Sequence, residues 1–307
     1  METHEVELGQ TLRSKKLLAL LLISVLLTYA VPFPFIAGFL EDYGKIKEIK
    51  KQMEEENEAI VCHTVYDTDP EFFGSQGMEC SDENYRPNES TVSCCGMSVY
   101  RDTYQEYLRA REDLGKELPK FVLFVVWVFL SLLAFSYALV EGAVSITNGG
   151  EVSLKRSILS GFRALPALVA SEFVMFVAII AVLILLAVPM AILGPLGGIL
   201  VVILTAPAFA LVIPVYYFER KIGPVGEIWR IFKNNTGGYL VLGLLAGIVD
   251  LLVAFQYEYY FGIGTLLIML AIGIPRYVLN SVGALVVYLD GVETLEREEK
   301  RGIEWEV

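Results

Sequence analysis

Along most of this chain the apolar positions neither alternate with polar ones nor recur every third or fourth residue. They run on. Six long stretches almost free of charge stand at 17–40, 121–145, 166–188, 195–217, 238–256 and 263–289. Each is near or above the ~20 residues with which an α-helix crosses a hydrocarbon core of ~30 Å. The pattern predicts an all-α membrane protein with six transmembrane helices. Arg13, Lys15 and Lys16 precede the first run, as in a signal peptide. That run leads into Pro32 and Pro34 rather than a small-x-small cleavage site, so a retained, kinked helix is expected.

Between the first two runs the pattern changes. In 41–61, apolar residues recur at Ile46, Ile49, Met53 and Ile60; in 100–118, Tyr100, Tyr104, Tyr107, Leu114 and Leu118 do the same. Two such stripes predict helices packed as an antiparallel stalk. The intervening 62–95 is rich in Asp, Asn, Ser, Gly and Pro and holds all four cysteines, Cys62, Cys80, Cys94 and Cys95. So polar a segment buries little apolar surface, and disulfides are expected to hold it. A bond between adjacent cysteines is strained, so Cys62 and Cys80 are each expected to pair with one of Cys94 and Cys95. The chain divides into 1–40 (N-terminus and first span), 41–120 (stalk and Cys-rich tip), 121–289 (five further spans) and an acidic tail, 290–307.

Charge turns this pattern into a topology. Lys and Arg gather before the first run, at Lys155, Arg156 and Arg163, and at Arg220, Lys221, Arg230 and Lys233; 189–194 and 257–262 carry none. The positive-inside rule puts both termini in the cytoplasm of a plasma-membrane protein, with 41–120 extracellular. The cysteines then fall where disulfides persist, and Asn88-Glu89-Ser90 becomes a glycosylation candidate at Asn88, whereas Asn234-Asn235-Thr236 does not. The formal net charge is −12, and 41–120 hold 19 acidic against 10 basic residues. A basic nucleic-acid surface is missing, so no nucleic acid is expected as partner.

The second half repeats. Ala210-Leu211-Val212 and Ala284-Leu285-Val286 stand 74 residues apart, as do Arg156 and Arg230 within similar basic-apolar stretches; Ala138-Leu139-Val140 precedes Ala210 by 72. The unit reads as an interfacial amphipathic helix followed by a membrane hairpin, with three hairpins in all and 41–120 inserted in the first. The stretch from Pro214-Val215-Tyr216-Tyr217-Phe218-Glu219-Arg220-Lys221 through Gly223-Pro224-Val225-Gly226-Glu227-Ile228-Trp229-Arg230-Ile231-Phe232-Lys233-Asn234 resembles a pattern in uncharacterised prokaryotic membrane families. These are the DUF4013-like families and the membrane domain attached to some glycerophosphodiester phosphodiesterases. Glu141-Gly142 and Arg156-Ser157 look like a second copy, and the resemblance covers roughly 138–290. It implies a helical membrane bundle. The phosphodiesterase's catalytic barrel has no counterpart in this sequence, so the resemblance implies no activity.

Four ionisable residues fall in or near the runs: Glu141, Glu172, Asp250 and Arg276. A charge at the bilayer centre costs at least ~2.5 kcal/mol, so each needs a partner or water. Asp250 and Arg276 lie equally far, 13 residues, on either side of a turn near Ile263. An antiparallel hairpin sets them at one depth. They are expected to pair, either as a lock or as a polar site with Asn280, where Arg276 would suit an anionic lipid or small anion. Glu141 and Glu172 are expected to meet interfacial Lys or Arg.

No catalytic constellation is present. His-Glu-x-x-His and Gly-x-Ser-x-Gly motifs are missing, and His4 and His63 both lie outside the apolar runs. No enzyme activity, cofactor or metal is expected. Two functions fit: a scaffold or accessory subunit that binds a protein partner through 41–120, or a transporter or lipid-handling protein with a polar site at Asp250 and Arg276. In either, the lipid bilayer is the first partner.

Overall fold

A computed structural model describes residues 14–68, 80, 83–259 and 263–305. The long apolar runs are helices, as intramembrane backbone must be to satisfy its own polar groups. Among the described residues four helices are long and apolar enough to cross a membrane, or up to six spans if each of two bent helix pairs counts as one. This marks a membrane protein. The chain divides into two compact units, Pro34–Phe124 and a bundle of Met1–Phe33 with Val125–Val307.

In the bundle, α1 (Lys15–Val25) starts at Ser14, whose hydroxyl accepts from the Leu17 N–H, and continues as a π-helical turn, Leu26–Ala30. A break at Val31-Pro32 follows, and α2 (Phe33–Thr68) begins beyond it. Pro32 has no N–H. The Leu27 carbonyl accepts from the Trp127 indole N–H at 3.1 Å, so a distant side chain satisfies backbone next to the kink.

Beyond Pro34–Phe124 come the last turns of α3 (Arg101–Thr147), then α4 (Leu154–Leu193), α5 (Pro195–Glu219), α6 (Val225–Asn234), α7 (Thr236–Tyr259), α8 (Ile263–Val278), a second π turn (Leu279–Gly283) and α9 (Ala284–Trp305). Of the two basic-apolar stretches expected to form separate helices, one does and the other does not. Helix α6 is separate and meets α7 at 108°, because Asn235 ends α6 and its side-chain oxygen accepts the Gly238 N–H at 3.0 Å. Residues 154–165 instead continue into the span as one helix, α4, which runs on through Pro166. The turn expected near Ile263 falls partly at 260–262, outside the described residues.

Glycines set how closely the helices approach. A Cβ on Gly161 of α4 would overlap the Ala134 carbonyl of α3, and one on Gly243 of α7 would overlap the Ile203 carbonyl of α5. Small residues are what permit such backbone contact in membranes. Pro207 deprives that same Ile203 carbonyl of its helical donor.

In Pro34–Phe124, α2 and α3 run antiparallel. Phe39 stacks on Phe121 with ring centroids 4.2 Å apart, and farther along Glu56 meets Thr103. Ile46, Ile49, Met53 and Ile60 are all buried, and Tyr104 and Tyr107 pack on them, but Leu118 is half exposed. Tyr100 does not begin the helix as expected. It ends β2 (Met97–Tyr100), which pairs antiparallel with β1 (Thr91–Cys94) through a two-residue turn, Cys95-Gly96. Both turn residues have positive φ, 58° and 80°, the twist that tight hairpins require.

The cysteine expectation is overturned. Cys62 bonds to Cys80, 18 residues on in the chain. The hairpin holds Cys94 and Cys95 at its own end, and their sulfurs lie 2.8 Å from each other as free thiols. Sequence spacing carried no information about that hairpin's direction. Asn88 is exposed beside the hairpin, whereas the Asn234 side-chain nitrogen is buried.

Candidate functional site

Three of the four ionisable residues of the apolar runs converge on a cavity. Asp250 comes from α7, Arg276 from the last turn of α8, Asn280 from the following π turn, and Glu172 from the middle of α4. All four line a space of about 530 Å³. Its remaining wall is almost wholly apolar, with Phe129, Phe173, Phe176 and Phe209 prominent. A largely apolar cleft of 300–1,000 Å³ with a few convergent polar groups is the usual form of a small-molecule site.

Asp250 and Arg276 stand 3.7 Å apart and are partly exposed, 48% and 31% by side chain. The pair therefore lies on a cavity wall and not in a packed seam. The Arg276 charge also stands close to Tyr29 on the first span. The neighbouring Tyr277 shares a 2.5 Å hydrogen bond with Thr28, buried between the first and last spans. Both contacts arise from the π turn Leu26–Ala30, a wide turn of a kind often found at functional sites. A second such turn carries Asn280. Pro275 and Pro214 each remove a helical N–H, from the carbonyls of Ala271 and Ala210, and Ala210 is on the cavity wall.

Glu172 breaks the expectation of an interfacial cation. It is 8% exposed and makes no hydrogen bond or ion pair with any described residue. The reason is the unbroken helix. Arg163, the nearest cation on α4, lies nine residues back, about 14 Å along the axis. Ser136, also on the wall, has a buried hydroxyl without a partner among the described residues. Tyr29 and Ser136 were not legible in the sequence, since a lone hydroxyl in an apolar run has no signature of depth or face.

Glu141 behaves differently. It lies at the end of the bundle where α3 finishes, 3.8 Å from Arg156, and its second oxygen is buried without a partner among the described residues. It does not join the cavity that holds Glu172. No family model, no curated protein and no solved structure matches this chain.

Proposed function

We propose that this is a non-enzymatic, six-span membrane protein that binds an amphipathic anion in the intramembrane cavity, as a transporter or lipid-handling protein. The reading takes both termini as cytoplasmic and 41–120 as the extracellular segment, and takes the six spans as three hairpins akin to the prokaryotic membrane families named above. The observation that carries it is the position of the Asp250–Arg276 pair on the wall of an apolar cavity. A pair whose only work was to lock α7 to α8 would be sealed between them, because desolvated charges gain from close packing with further hydrogen bonds.

The chemistry selects the ligand class. Arg276 offers a forked donor to a carboxylate or phosphate. Asp250 holds it in the apo state and is displaced or neutralised when the anion arrives. Asn280 adds donors, and the phenylalanines accept an acyl or aryl body. Glu172, without a cation, is a place for a proton or small cation that would accompany the anion.

The test is direct. The full chain in nanodiscs, titrated with a fluorescent fatty acid, is expected to bind it, and Asp250→Leu/Arg276→Leu is expected to weaken that binding at least ~10-fold while folding persists. Unchanged binding in the double variant would sink the reading. The scaffold reading would then stand, with a protein partner sought through 41–120.

A further inference from the structure

A second concavity is lopsided in charge. It measures about 560 Å³ and lies where α3 ends, α4 begins and α5 ends. Lys155, Arg156, Arg163 and Arg220 line it, against the single carboxylate of Glu141. It shares no lining residue with the cavity of Asp250 and Arg276. Four like charges in one concavity raise the local potential and concentrate counter-ions there.

Three of the cations are little engaged by the rest of the protein. Lys155 and Arg163 make no hydrogen bond or ion pair with any described residue. Arg156 reaches Glu141 only at 3.8 Å and is 83% exposed by side chain. Leu154 begins α4, a helix of 40 residues, so the positive end of its dipole adds to the same field.

The site is also held in shape. Arg220 closes α5 in the left-handed conformation, φ 54°, where glycine is the usual residue. Its guanidinium donates to the Tyr137 hydroxyl at 2.6 Å and stands 5.5–5.8 Å from the rings of Tyr137, Tyr216 and Tyr217. An arginine kept in that backbone position by an aromatic cage is fixed in direction, with further N–H groups left for a ligand.

We propose that this concavity binds a phosphate monoester group. The formal excess of three positive charges in the lining exceeds what a carboxylate answers, and guanidinium forks match phosphate oxygens. A singly protonated phosphate monoester also brings a P–OH donor, which suits the buried, unpartnered oxygen of Glu141. Residues 154–163 precede the apolar run of α4, so the group is met at headgroup depth. A phosphate monoester there belongs either to a lipid headgroup or to a soluble ester.

Thermal unfolding of the full chain in nanodiscs separates these sources. One arm compares phosphatidylcholine discs with discs containing phosphatidate. The other adds inorganic phosphate to phosphatidylcholine discs, against sodium chloride of equal ionic strength. The expected result is a midpoint raised by about 4 °C in at least one arm and no rise in Lys155→Gln/Arg163→Gln. A rise with phosphatidate alone assigns the site to lipid; a rise with inorganic phosphate assigns it to a soluble ester. Both residues are exposed and unpaired, so the double variant is expected to match the parent in plain discs. If it does not stay monodisperse, Arg163→Gln alone, expected to lose about half the rise, replaces it. Arg230→Gln on α6, outside the concavity, should keep the full rise. The proposal is overturned if neither probe raises the midpoint, if the Lys155/Arg163 variants keep the rise in full, or if Arg230→Gln loses it equally.

Discussion

Glu56 and Glu172 are both buried carboxylates, and the molecule treats them in opposite ways. Glu56, 1% exposed on α2, accepts from Thr103 at 2.7 Å, from Gln52 at 3.0 Å and from the Tyr100 N–H at 3.2 Å, and meets Arg86 at 3.3 Å. Glu172, 8% exposed on α4, accepts from no described residue and faces a cavity. A buried polar group that is fully answered holds a structure together. One left unanswered at a cavity is destabilising in itself, and on the function proposed above a ligand or an ion is what retains it.

The region around Glu56 follows from strand geometry. In the β1–β2 hairpin the N–H groups of Ser98 and Tyr100 point away from β1. Asn57 accepts the first at 2.8 Å and Glu56 the second. Helix α2 thus covers the edge that a two-stranded hairpin leaves open. Arg86 closes the arrangement. It pairs with Glu89 and Asp102, each at 2.8 Å, and its guanidinium lies 4.8 Å from the Tyr100 ring centre.

If the comparison is right, the largest stability loss comes from Glu56→Ala. It strands the Tyr100 N–H and the Thr103 hydroxyl and leaves Arg86 one partner short. A loss of about 4 kcal/mol is expected in Pro34–Phe124, read by hydrogen exchange at Tyr100 and Val99. Protection like that of the parent would break the contrast. Cys62→Ala with Cys80→Ala comes next. Opening an 18-residue loop should cost about 3 kcal/mol, seen as faster proteolysis of 41–120 with the bundle's melting unaffected.

Glu172→Gln should do the opposite of Glu56→Ala. Stability should stay within about 0.5 kcal/mol of the parent or rise, while fatty-acid binding or its ion dependence weakens about 10-fold. A destabilised bundle with intact binding would place Glu172 with Glu56 after all.

The smallest effect concerns pH. The side-chain hydrogen bond from Arg86, helped by the Thr103 N–H, holds the Asp102 carboxyl below its ordinary value of 3.8. A depressed folded value means that Asp102 stabilises the fold above about pH 4 and stops doing so as pH falls through the folded value. Asp102 is 62% exposed by side chain, so solvent screening leaves about 0.5 kcal/mol or less. Asp102→Asn should flatten that part of a stability–pH curve below pH 4 and cost about 0.5 kcal/mol or less at pH 7.

Much of this was legible in the chain. Runs of apolar residues at 121–145 and 166–188 could only be helices, because no other structure satisfies backbone in hydrocarbon. The stripe Ile46, Ile49, Met53 and Ile60 gave the buried face of α2 directly, since a helix fixes which residues share a side. The equal spacing of Asp250 and Arg276 about a turn gave their common depth. The hairpin at 91–100 was missed because its strands are four residues each and its turn residue Cys95 is not among those that announce such turns. With the hairpin went the cysteine pairing, which depends on where strands point rather than on spacing.

What the sequence determined by itself was the membrane character, the helical runs and the shared level of Asp250 and Arg276, all consequences of local periodicity and length. Whether a charge at that depth meets a partner, a seam or a cavity was decided only by tertiary structure. Arg276 and Glu172 are 104 residues apart in the chain, and their sharing of one cavity depends on Gly161 and Gly243 drawing four helices together and on a π turn rotating Asn280 to the same wall. Those are relations of rotation and contact between helices, and no single stretch of chain encodes them.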